Sequence, residues 1–176
     1  FLNEGEPPIA FTPGSAMAQG KQFFAAAIEA SRQIGKRALL LTKYDDHLPA
    51  TLPDHVYRVR YVPFSQVLPR CAAFVHHGGI GSSGQGLAAG VPHLVMPMGF
   101  DQPDNATRLQ RLGVADWVSP GKFTPKRVAA KLAALLASDE VAAACAKWAK
   151  QMQLIDANVK TCELIEDIMN DEVGGG

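Results

Sequence analysis

One stretch of the chain concentrates groups that can hold an anion. His76-His77-Gly78-Gly79-Ile80-Gly81-Ser82-Ser83 brings two imidazoles, three glycines and two hydroxyls together. Glycine lets backbone N–H groups approach an oxygen closely, the unpaired N–H groups at a helix start carry partial positive charge, and serine adds hydroxyl donors. A diphosphate suits this set. A protonated or N–H-donating His77 would meet a phosphate oxygen without ordering a long side chain. Further along, Asp101-Gln102 sets an acidic acceptor beside an amide that both donates and accepts, a pair able to hold two neighbouring hydroxyls of a ligand. Two common phosphate motifs do not fit. A Walker A loop would need Gly-Lys-Ser or Gly-Lys-Thr, which is absent. Gly79-Ile80-Gly81-Ser82-Ser83-Gly84 matches the dinucleotide fingerprint only literally, because no acidic residue in the right context follows about twenty residues on.

These groups need a scaffold, and the apolar pattern supplies one. Strands are expected at 8–12, 37–42, 56–62, 72–75, 93–96 and 116–118, the second with an Ala-Leu-Leu-Leu core that does not alternate and so suits burial on both faces. Between them the spacing predicts helices at 17–34, 66–69, 82–89 and 105–112, the first stopped by Gly35 and the third by Gly90. Another is expected at 124–136, capped by Thr124 with Pro125 at its first position, and two more at 140–152 and 157–169. Alternating strands and helices imply an α/β fold, a Rossmann-like, mostly parallel sheet with helices on both faces. Such sheets bind ligands beyond the carboxyl ends of their strands, which is where residues 13–16, 62–64, 76–83 and 97–102 fall.

Composition narrows the partners. The 176 residues are 47% hydrophobic and 19% charged, as in one globular domain. Lys plus Arg and Asp plus Glu both number 17, so the formal net charge is zero and no basic stripe offers a nucleic-acid footprint. Any bound anion must be held locally. Cys71, Cys145 and Cys162 are odd in number and lack metal-ligand spacing, which predicts buried thiols in a reducing compartment. No window reaches the roughly 18 apolar residues of a membrane span, and no signal core opens the chain, so the expected location is cytoplasmic. The start at Phe1 without Met and the closing Gly174-Gly175-Gly176 are what a segment of a longer protein would show. His47 and His55 are expected to be solvated, His93 to bond a neighbour, Trp117 and Trp148 to pack, and Lys131 to lie on a solvated face.

The resemblance that these residues carry is specific. His77-Gly78-Gly79-Ile80-Gly81-Ser82-Ser83, Gly86-Leu87-Ala88-Ala89-Gly90-Val91-Pro92, Pro97-Met98-Gly99-Phe100-Asp101-Gln102 and Asn105-Ala106 resemble, in order and in gaps, the donor signature of the family 1, UDP-glycosyltransferase-like enzymes. Gly14-Ser15 resembles the family's early Gly-Ser loop, and Tyr61-Val62-Pro63-Phe64 its Trp-x-Pro-Gln base-binding segment. The likeness runs from Phe1 to about Leu136.

It implies a GT-B fold of which residues 1–176 are the C-terminal, donor-binding domain, the N-terminal acceptor domain being absent. It also implies roles. Ser15, His77, Gly79, Gly81, Ser82 and Ser83 would meet the diphosphate; Tyr61, Val62, Phe64 and Gln85 the base and ribose; Asp101 and Gln102 the sugar. Two residues depart from the family. Tyr61 stands where Trp is usual, and Gln85, where many relatives carry Glu, cannot form a charge-assisted pair with the ribose. Uridine and deoxythymidine diphosphate therefore both stand as donors. The resemblance implies no metal and no cofactor, no catalytic residue in this chain, and a general base in the missing half that takes the proton of the acceptor hydroxyl. The intact enzyme would invert the anomeric centre of a hexose. The alternatives are a GT-B nucleotide-sugar 2-epimerase domain and a non-catalytic nucleotide-sugar-binding module.

Overall fold

In the computed structural model, which describes residues 1–14, 20–154 and 157–173, six short strands form one parallel sheet. They are β1 (Ile9–Thr12), β2 (Ala38–Leu41), β3 (Val56–Val59), β4 (Ala73–His76), β5 (His93–Val95) and β6 (Ala115–Trp117), in the spatial order β3-β2-β1-β4-β5-β6. The helices are α1 (Gly20–Gln33), α2 (Phe64–Val67), α3 (Ile80–Ala89), α4 (Gln102–Arg111), α5 (Pro125–Ala137), α6 (Asp139–Leu154) and α7 (Ala157–Val173). The expected α/β class and parallel sheet are what the chain adopts.

The central strands are covered on both faces, and their residues divide by the two-residue period of a strand. Ile9 and Phe11 of β1, with Ala38 and Leu40 of β2, pack under α1 and α5 against Phe23, Phe24, Val128 and Leu132. Ala10, Leu39, Leu41 and Phe74 face the other layer, with Val67, Leu68 and Val91. A third cluster, including Val95, Ala106, Leu109 and Cys145, fixes α4 and α6 beside β5 and β6. Fully burying each large apolar side chain stabilises the fold by about 1.5–3 kcal/mol.

Several boundaries differ from expectation for identifiable reasons. β3 stops at Val59, not residue 62, because its one neighbour β2 ends at Leu41 in register with it, leaving Tyr61 and Val62 no strand to pair with. α3 starts at Ile80, two residues early, since extended Gly79 already serves as its N-cap. α4 starts at Gln102, three residues early, because Pro103 is tolerated in a first helical turn. Thr124 occupies the N-cap position of α5, but its side chain makes no capping hydrogen bond.

Some solvated readings give way to contacts. His55 Nε2 lies 3.3 Å from the Ile28 carbonyl, and His47 is half-buried against Gly20 at the start of α1. Lys131 pairs with Asp116, since α5 runs alongside β6. Trp148 packs as expected and donates from Nε1 to the Leu112 carbonyl at 3.2 Å, whereas Trp117, on the edge strand, is 40% exposed. Cys71 and Cys145 are buried and Cys162 is exposed on α7. No helix among the described residues is long and apolar enough to cross a membrane.

Candidate functional site

The strand order reverses at β1, whose neighbours are β2 on one side and β4 on the other. Connections leaving β1 and β4 diverge to opposite sides there, which opens a crevice beyond their carboxyl ends. Thr12 and His76 are paired in register, so Gly14 and His77 emerge side by side.

The His77 ring lies between two glycines. A Cβ on Gly14 would stand 2.6–2.8 Å from three of its ring atoms, and one on Gly79 2.6 Å from Nε2. Only residues without a side chain let the imidazole lie there, and Gly14, at φ +84°, is also in the left-handed region that favours glycine. Nδ1 of His77 is buried with no partner among the described residues. Burial lowers the His77 pKa below its usual value, and the nearby Asp101 carboxylate opposes this only in part. At neutral pH the ring is therefore a neutral N–H donor. Directly after it, the first turn of α3 presents backbone N–H groups without intrahelical partners.

Residues of that turn divide. Gly79 is the N-cap, Gly81 is exposed beside it, and Ser82 lines a cavity. Ser83 turns inward, 3% exposed, with its Oγ unpartnered among the described residues. Ser15 lies outside the described residues.

A cavity of about 320 Å³ runs from Ser82 and Gly14 to the loops after β2 and β3. Tyr61, Val62 and Phe64 together line it. Tyr61 is 84% exposed, whereas Phe64 rests edge-on against Phe74 of β4, with centroids 5.3 Å apart. Thr42, Lys43, Tyr44 and Arg60 also line the cavity and were not singled out from sequence, although their places just beyond β2 and β3 were a usable signal. Gln85 lies elsewhere. It is exposed one turn along α3 and borders a separate depression with Ser65 and Pro69.

On the other side of His77, Asn105 fastens two loops. Its Nδ2 donates to the Gly78 carbonyl at 2.9 Å and to Asp101 Oδ2 at 2.7 Å. Gln102 Oε1 accepts from the amides of Met98 and Gly99 at 2.9 and 3.4 Å, which closes the loop before α4. Asp101 itself is exposed and faces outward beside His77. Phe100, just before Asp101, adopts φ +57° and is 98% exposed, a strained residue of the kind that clusters at functional sites.

The second imidazole of the expected anion cradle is not in it. His76 is the last residue of β4, fully buried, stacked on Phe74 and bonded through Nε2 to His93 Nδ1 at 2.9 Å. A side chain on a strand alternates faces with its neighbour, so only one of two consecutive histidines can face the crevice. His93 does bond a neighbour, as its sequence position suggested. Among the described residues no group of three or more His, Cys, Asp or Glu is placed to hold a metal ion.

Comparison with known proteins places this geometry. A family model described as Erythromycin biosynthesis protein CIII-like, C-terminal domain, matches residues 38–169. The O-mycaminosyltylonolide 6-deoxyallosyltransferase of Streptomyces fradiae is 38% identical over 117 residues, covering 65% of this chain and 27% of that protein. An uncharacterised glycosyltransferase of Mycobacterium leprae (strain TN) is 34% identical over 169 residues, covering 95% of this chain and 40% of its own length. The solved glycosyltransferase VinC, in complex with dTDP, superimposes with a TM-score of 0.82 at 26% identity over 97% of this chain and 44% of VinC. The chain thus spans less than half the length of these relatives.

Proposed function

The chain belongs to the erythromycin biosynthesis protein CIII-like family of GT-B glycosyltransferases, and from that membership we propose that residues 1–176 are the donor-binding domain of a hexosyltransferase. The observation that carries the proposal is the His77 ring held between Gly14 and Gly79 at the start of α3. A neutral imidazole N–H, free helix N–H groups and the Ser82 hydroxyl together form a set of donors for a diphosphate, with no cationic side chain needed. The cavity leading away from Ser82 then takes the nucleoside. Its base stacks on the exposed face of Tyr61, while Leu41 and Val62 give apolar walls. Between uridine and deoxythymidine diphosphate, the second is favoured, because VinC is seen with dTDP. The uncharged Gln85, away from the cavity, supplies no carboxylate for a ribose.

The sugar extends the other way, toward Asp101 and Gln102. Because the Gln102 carbonyl oxygen is engaged by two backbone amides, its NH₂ group is what it offers a hydroxyl, while Asp101 accepts. As the bond from the anomeric carbon to the diphosphate breaks, charge accumulates on the departing oxygen. His77 and the α3 amides stabilise it. The acceptor hydroxyl attacks from the opposite face, its proton taken by a base in the remainder of the longer protein, so the configuration inverts. No metal or cofactor enters the scheme.

Calorimetric titration of Asp101→Asn with deoxythymidine diphosphate and with its glucose conjugate tests the sugar assignment. The conjugate is expected to bind about tenfold more weakly than to the unaltered chain, while the diphosphate changes less than about twofold. Equal losses for the two ligands would contradict a sugar-facing Asp101.

A further inference from the structure

We infer that His76 and His93 form a directional pair of neutral imidazoles that positions the turn carrying His77; its consequence for ligand binding rests on the donor-site reading above. The direction follows from donor and acceptor chemistry alone. The Gly78 amide N–H points at His76 Nδ1 at 3.1 Å, and a backbone amide can only donate, so Nδ1 must carry a lone pair. The His76 proton is then on Nε2. Its partner at 2.9 Å, His93 Nδ1, must accept, which leaves the His93 proton on Nε2. Both rings are fully buried, and a second proton on His76 would destroy one of these two bonds.

The pair acts on the site through one peptide unit. The Gly78 N–H belongs to the peptide joining His77 to Gly78, and the Gly78 carbonyl, held by Asn105, to the next. Gly78 turns between them at φ +91°. Peptides before and after the turn are thus each tied by one side-chain bond, which sets both the direction of the His77 ring and the approach to Gly79. His76 and His93 touch no ligand in this scheme. They are positioning residues.

Nitrogen-15 NMR of the histidine-labelled chain at pH 7 is the direct test. Both His76 and His93 are expected as the Nε2-protonated tautomer, and His76 protonated on Nδ1 would overturn the inference. Two variants separate positioning from bulk. His93→Phe keeps a ring but removes the acceptor, whereas His93→Asn returns an amide oxygen near the position of Nδ1. In His93→Phe the Gly78 amide should exchange with solvent about tenfold faster and deoxythymidine diphosphate bind about tenfold more weakly, with His93→Asn within about threefold of the unaltered chain on both. Equal behaviour of the two variants, or no change in His93→Phe, counts against the pair. Failure of the unaltered chain to bind any diphosphate would count against the donor-site reading instead, while the tautomers and the Gly78 exchange still decide the inference.

Discussion

Gly86→Ala is expected to destabilise the chain by about 2 kcal/mol, whereas Gly84→Ala, two residues earlier in the same helix, is expected to stabilise it by up to about 1 kcal/mol. The helix term is the same for both, since alanine is the better helix former by about 1 kcal/mol in either place. The surroundings decide the sign. A Cβ on Gly86 would stand 3.0 Å from both ring nitrogens of His93 and nearer still to Cε1, while one on Gly84 would meet nothing within 4 Å. His93 cannot yield cheaply, because it is fully buried and tied to His76. Urea unfolding of the two variants reads the difference, and equal shifts in one direction would mean that α3 and β5 are not as closely packed as described.

The second large effect is on acid stability. Burial holds His93 down to about 4 and pushes His76 well below its usual range, where the neighbouring His93 and His77 add to the effect. In the unfolded chain these rings titrate near 6.5. Between pH 6.5 and about 4 the unfolded state therefore takes up protons that the folded state refuses, and stability falls as the pH falls through that window. His93 alone accounts for about 3 kcal/mol of the loss. The depressed carboxylates Glu6, Glu29 and Glu140 lie at the surface, where solvent screens their partners, so they add little to the loss. Urea unfolding at pH 7 and at pH 4.5 should show a much larger drop for the unaltered chain than for His93→Phe. A drop of the same size in both would place the acid sensitivity elsewhere.

Much of this architecture is legible in the sequence because fully buried parallel strands need unbroken apolar runs, and Ala38 to Leu41 and Ala73 to Val75 are such runs. Helix stops were legible where glycine must adopt a left-handed backbone, as at Gly35 and Gly90. What sequence could not supply depends on register and strand order. The bond from His76 to His93 exists because His93 pairs with Phe74, two residues before His76 on the adjacent strand. Gly14 reaches His77 only because the chain returns to the far side of β1 after β3. Likewise Lys43, Tyr44 and Arg60 converge on one cavity from two loops, and each alone reads as an ordinary polar residue. Gln85, a motif position assigned to the ribose, borders a separate depression with Ser65 and Pro69 rather than the cavity that Tyr61 and Val62 line.

The central claim is that the turn between β4 and α3 is a diphosphate site. Calorimetric titration of the chain with deoxythymidine diphosphate and uridine diphosphate, set beside His77→Ala, addresses it most directly. Binding of at least one diphosphate that weakens about tenfold or more in His77→Ala, through loss of a hydrogen bond to a charged group, is the expected result. Binding that is unaffected by His77→Ala, or no binding at millimolar ligand, would contradict it.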